Sequence, residues 1–147
     1  MVSEDVVIQL LNSMENSVRA TGLYDSSYVF KHVHHDVDRS GETDYVFALT
    51  TESAKIAIMF RLCEDVLLLE IAQIDRPHIR TGVLSAAVAV CKEYSTELGV
   101  TKFGAAGVVT HPMEQWCTKY GMRRLDGAER WGTVRFIPVD YLVSWET

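Results

Sequence analysis

Ile74-Asp75-Arg76-Pro77-His78-Ile79-Arg80-Thr81-Gly82-Val83-Leu84-Ser85 carries the chain out of an apolar run, through a polar loop and directly into a helical pattern. Upstream, Val66 to Ile74 is rich in Leu and Ile and reads as a strand. Downstream, Ala87, Val90, Cys91, Tyr94 and Leu98 recur at helical spacing and stop at Gly99. Val100-Thr101-Lys102-Phe103-Gly104-Ala105 then forms a second short strand. Strand, long helix and strand make a βαβ crossover, which requires the two strands to run parallel. The fold class is therefore mixed α/β.

Working outward, Asp44 to Thr51 and Lys55 to Leu62 precede Val66 to Ile74 as further strands, parted by Thr51-Glu52-Ser53 and Cys63-Glu64-Asp65. Breaks this short suit hairpins, so the three runs predict an antiparallel meander. Before them, Val7, Leu10, Leu11, Met14 and Val18 share one face of a helix, with Ser3 as N-cap and Gly22 as stop. Phe30, Val33 and Val37 predict a second helix from Ser26 to about Asp38, although the same residues also permit a short strand. After the crossover, Thr110 can cap a helix carrying Met113, Trp116, Cys117 and Tyr120, ended by Gly121. Met122 to Leu125 and Thr133 to Val139 predict a closing hairpin around Asp126-Gly127.

The 147 residues, 48% hydrophobic and 23% charged, suit one domain spanning 1–147 with a sizeable core. They exclude disordered and low-complexity classes. With 14 Lys+Arg against 20 Asp+Glu and a net charge of −6, the chain repels a phosphate backbone, and no nucleic-acid partner is expected. No stretch approaches the ~20 apolar residues that span a bilayer, and Met1-Val2-Ser3-Glu4-Asp5 lacks the basic start of a signal peptide. Cys63, Cys91 and Cys117 are odd in number and contain no CxxC pair, which fits a reducing, cytoplasmic setting.

The loop and helix start at Arg80 to Ser85 provide the chemistry of an anion site. Helix N-terminal N–H groups point at a ligand, Gly82 lets it approach the backbone, and Arg76 and Arg80 add charge. Glu70 is the one ionisable residue inside Val66 to Ala72. A carboxylate within an apolar strand is a candidate general base. Simple alternation puts Glu70 with Leu68 and Ala72, opposite Leu69 and Ile71. In His32-Val33-His34-His35-Asp36-Val37-Asp38, a strand puts His32, His34, Asp36 and Asp38 on one face. A helix instead pairs His32 with His35 or Asp36, and a solvated or substrate-edge segment is expected rather than a metal site. His111 reads as a cap neighbour. Trp116, Trp131 and Trp145 read most simply as core or interface aromatics, and Trp145 lies in a tail, Asp140 to Thr147, available to a partner.

Arg80-Thr81-Gly82-Val83-Leu84-Ser85 resembles the R/Q-x-x-G-x-G/A loop of the GNAT N-acetyltransferase superfamily, which holds the pyrophosphate of acetyl-CoA. Trp116-Cys117-Thr118-Lys119-Tyr120-Gly121-Met122 is similar to that family's aromatic-Tyr-x-x-hydrophobic-Gly-Phe signature. The order of elements matches over roughly Lys55 to Val139. The resemblance implies a GNAT-like sheet and puts Gln73, Ile74 and Asp75 beside the cofactor, with Arg80, Thr81, Gly82, Val83, Leu84 and Ser85 at its phosphates. It also implies a base, for which Glu70 is the choice, and an acid for the leaving thiolate. Cys117 stands where the family places a tyrosine, and Tyr120 follows one helical turn later. Leu84 replaces the second glycine, and the first strand is missing because the chain begins with a helix. A smaller sheet, or one completed by another chain in a homo-oligomer, follows as an expectation.

Two functions are therefore expected. One is transfer of an acetyl group from acetyl-CoA to an amine of a small molecule or protein, by direct attack. The other is a non-catalytic protein on the same scaffold that binds a protein partner, as a component of a larger assembly such as a virus particle.

Overall fold

A computed structural model describes residues 2–23, 28–39, 41–52, 55–75, 81–127, 137 and 139–146. Arg76 to Arg80 and Trp131 lie outside the described residues. Helix α1 (Glu4–Arg19) comes first. Strands β1 (Phe30–Arg39), β2 (Glu42–Thr51), β3 (Ile56–Cys63) and β4 (Val66–Ile74) follow. Then come helices α2 (Val83–Glu93) and α3 (Ser95–Leu98), strand β5 (Lys102–Ala106), helix α4 (His111–Lys119), and strands β6 (Arg123–Arg124) and β7 (Val139–Ser144). Among the described residues, the strands form one seven-stranded sheet in the order β1-β2-β3-β4-β5-β7-β6. β1 to β4 are an antiparallel meander, and β4 pairs parallel with β5 through the α2–α3 crossover.

The second helix expected over Ser26 to Asp38 is instead strand β1, which pairs residue for residue with β2 from Phe30↔Thr51 to Arg39↔Glu42. Spacing of Phe30, Val33 and Val37 mimicked a helix. The hairpin partner decides the outcome, with Gly41 at φ +80 in the turn. Phe30 and His32 face α1: Arg19 lies 4.8 Å over the Phe30 ring, and His32 Nε2 is 2.7 Å from Glu15 Oε1. β1 fills the outer place of the sheet, so the smaller sheet does not occur.

β6 pairs antiparallel with β7 as Arg123↔Leu142 and Arg124↔Tyr141, and β7 runs over Val139–Ser144; of the expected strand Thr133 to Val139, residues 133–136 and 138 lie outside the described residues. Of the stretch read as a tail available to a partner, Asp140 to Ser144 instead lies in β7, between β5 and β6. Trp145 is 7% exposed and stacks on Phe103 at 4.9 Å, so it is the core aromatic of the simpler reading and not a docking residue. Alternation in Val139–Ser144 is what inserts it: Val139 and Tyr141 are buried.

One core lies between the sheet and the helices. Val7, Leu10 and Leu11 of α1, Ala87 and Cys91 of α2, and Cys117 of α4 pack on Phe47, Phe60 and Phe103. A smaller core on the opposite face gathers Cys63, Val66, Leu68, Leu125, Ile137 and Val139. Among the described residues, no helix is long and apolar enough to cross a membrane.

Candidate active site

β4 and β5 stay paired only from Val66↔Lys102 to Leu69↔Ala105. Past that point β5 shifts register against β7 at Ala105/Ala106 and leaves the sheet at Gly107, φ +66, while β4 continues to Ile74 against β3. Among the described residues, β4 therefore has no strand partner on its β5 side from Glu70 onward. A cavity of about 150 Å³ lies in this fork, with Glu70, Ala72, Ala106, Val108 and Met113 in its wall. It shares Ala72, Thr110 and Met113 with a groove of about 1170 Å³ that runs between the end of β4, the start of α2 and the exposed side of α4.

The start of α2 forms one end of the groove. Gly82 is its N-cap with φ +90, a left-handed conformation that side chains disfavour. The first helical bond runs from the Ala86 N–H to the Gly82 carbonyl at 2.9 Å. The N–H groups of Val83, Leu84 and Ser85 thus have no intrahelical acceptor, and all three residues line the groove. Leu84 stands where a second glycine was expected, yet its side chain turns into the core and is 6% exposed, which leaves the backbone side open.

α4 provides the facing wall. Pro112 in its first turn suits a helix start, where no intrahelical N–H is needed. Trp116 and Tyr120 stack at 5.0 Å and both line the groove, and Trp116 Nε1 donates to Ser85 Oγ at 3.1 Å. Burial pushes the Tyr120 hydroxyl pKa upward, although the neighbouring Trp145 indole N–H pulls it down. Tyr120 therefore keeps its proton at neutral pH. Cys117 is fully buried in the core and does not line the groove. Burial, then the charge of Asp140, pushes its thiol up to about 12.

Glu70 sits where alternation fails. Phe60 pairs with Leu69 and Met59 with Ile71, so Glu70 is the extra residue of a β-bulge. Leu67 and Leu69 face the helices before the bulge, and Ala72 and Ile74 face them after it. The expected grouping of Glu70 with Ala72 is thereby corrected: Glu70 turns to the opposite face. There its Oε1 accepts from Arg61 Nε at 2.5 Å, and Arg61 Nη1 lies 3.4 Å from Asp44 Oδ2. Burial opposes the Arg61 charge, but Glu70 and then Asp44 more than offset this and raise its pKa.

Of the other anticipated residues, Ile74 and Gly82 line the groove, whereas the exposed Gln73 does not. Asp75 Oδ2 accepts from the Tyr28 hydroxyl at 2.6 Å, and its Oδ1 is buried without a hydrogen bond. Arg80 falls outside the described residues. His111 is exposed, 3.9 Å from Glu114, and His34 Nδ1 is 3.0 Å from the Tyr45 hydroxyl. Sequence reasoning missed Arg61 and Asp44. The signal was present in Arg61, the one charged residue of Ile56–Cys63.

A sheet that forks beside a helix N-terminus, with an ionisable residue at the bulge, defines a mixed α/β protein whose fork holds a cavity that adjoins the groove along α2 and α4. No family model matches the sequence, and no curated protein sequence matches it significantly. Among solved structures, the chain is similar to a nourseothricin acetyltransferase, with 15% identity and a TM-score of 0.45 over 82% of this chain and 85% of that one.

Proposed function

We propose that this chain is an acetyl-CoA-dependent N-acetyltransferase of the GNAT type, acting on an amine by direct transfer. The observation that carries the reading is the parting of β4 from β5 after Leu69↔Ala105, because it opens a backbone edge onto a groove that ends at free helix N–H groups. An extended chain of amides can pair with such an edge, and a pyrophosphate suits the N–H groups of Val83, Leu84 and Ser85. Arg80 would add charge from the preceding loop. Acetyl-CoA bound there would supply an activated acetyl thioester.

The protein's own groups then divide the proton traffic. Glu70, at the fork, would take a proton from the attacking amine, directly or through water, as the carbon–nitrogen bond forms. Tyr120, on the groove wall, would give its proton to the departing sulfur. Tyr120 suits this role better than Cys117, whose sulfur does not reach the groove and whose thiol ionises only near about 12. Leu69, Ala72 and Met113 would exclude water around the reacting atoms.

The test is CoA release from acetyl-CoA with a panel of primary amines. Glu70→Gln and Tyr120→Phe are each expected to lower kcat by about 100-fold or more while acetyl-CoA binding persists. Full activity in both variants would refute the assigned roles. Absence of CoA binding in the wild type would favour the non-catalytic scaffold.

A further inference from the structure

Glu70 does not stand alone at the fork. Its carboxylate shares one guanidinium with a second carboxylate, Asp44, whose side chain is 1% exposed against 11% for Arg61 and 18% for Glu70. Of the three, only Glu70 reaches the cavity wall. Three strands are needed to build the cluster: Asp44 from β2, Arg61 from β3 and the bulged Glu70 from β4. The Cys63 thiol is the other titratable group in the cluster among the described residues; its proton is held by burial and by Asp44, up to about 12. It therefore stays neutral across the working range.

We infer that Arg61 and Asp44 form a buried mount that orients the Glu70 carboxylate and sets its basicity for the proposed transfer, with Arg61 as a positioning residue. The inference rests on the acetyltransferase reading. Arg61 commits Oε1 of Glu70, which leaves Oε2 to meet the amine. An arginine alone would stabilise the ionised carboxylate and make it a poor proton acceptor. Asp44 draws part of that guanidinium charge away, so the base is held in place without being fully neutralised. A single arginine thus fixes geometry, and the second carboxylate restores reactivity.

The mount predicts opposite effects from its two members. Asp44→Asn leaves Arg61 wholly to Glu70, so the acid limb of the kcat/KM profile moves to lower pH and the rate at neutral pH falls. The double variant Asp44→Asn/Arg61→Gln removes the guanidinium that holds Glu70 together with the carboxylate that shares it, so the limb moves to higher pH. Each displacement is expected to be about one pH unit. Circular dichroism and acetyl-CoA affinity should match wild type in both. The readout is CoA release from acetyl-CoA with n-butylamine and with a lysine-containing tripeptide, from pH 5 to 9. Limbs that stay in place, or move in the same direction, overturn the mount. Wild-type protein that releases no CoA with either probe removes the acetyltransferase reading, and the inference with it. Turnover with unmoved limbs removes the inference alone.

Discussion

At the residue scale, the three cysteines show what burial does to chemistry. Cys63, Cys91 and Cys117 are each no more than 1% exposed. Burial is the first cause of the raised pKa in all three, and it holds Cys63 and Cys117 at about 12 against an ordinary 9.0. The native state then keeps protons that the unfolded chain releases above about pH 9, so folding stability should be complete below pH 9 and fall progressively towards pH 12. Urea unfolding at pH 7.5, 9 and 10 should show this decline, with a shallower slope in Cys117→Ala. A thiol reagent at pH 8 should label none of the three until the protein unfolds. Cys117 occupies a motif position, and sequence alone presented it as an acid; that the helix turns the sulfur into the core depends on packing of α4 against the sheet, which no local pattern encodes. Glu70 was legible for a simpler reason: a charge in an apolar strand must have a partner or a purpose. Its face was not legible, because a bulge adds one residue to one strand and nothing nearby in sequence marks it.

Elements whose partners are close in sequence were readable. The β2 to β4 meander, α1 and the βα crossover all emerge from periodicity and short turns, and each lies within two residues of its observed bounds or ends at the expected glycine. The elements that went astray are those decided by distant partners. β1 carries the weak pattern of an edge strand, and only pairing with β2 selects it over a helix. β7 is separated from its partners β5 and β6 by more than a dozen residues, so its insertion between them is not encoded in any local pattern. Gly104 shows how tightly that insertion is made. A Cβ there would sit 2.9 Å from both Leu68 Cδ2 and Val139 Cγ1 and 3.3 Å from the Tyr141 carbonyl oxygen. Gly104→Ala should therefore cost about 1–3 kcal/mol by forcing β4 and β7 apart, measurable as a lower urea midpoint. Unchanged stability would mean that β5 and β7 do not pack as closely as the register requires.

At the scale of the whole molecule, the helices gather on one face, and the fork between β4 and β5 joins that face to the Glu70 cluster on the other. On the proposed function, a donor held in the groove and an amine reaching Glu70 would approach the same point from opposite sides of the sheet. The central claim is that the groove and the start of α2 bind acetyl-CoA, and calorimetric titration tests it most directly when wild type is compared with Ser85→Asp. An aspartate in the first turn of a helix complements its dipole and should leave the fold as stable or more so, while its charge opposes a pyrophosphate at the same N–H groups. The account predicts one acetyl-CoA per chain with micromolar affinity, about −8 kcal/mol, weakened at least tenfold in Ser85→Asp with no loss of thermal stability. Wild-type protein that shows neither heat nor a thermal shift at millimolar acetyl-CoA, or binding that Ser85→Asp leaves untouched, would contradict it.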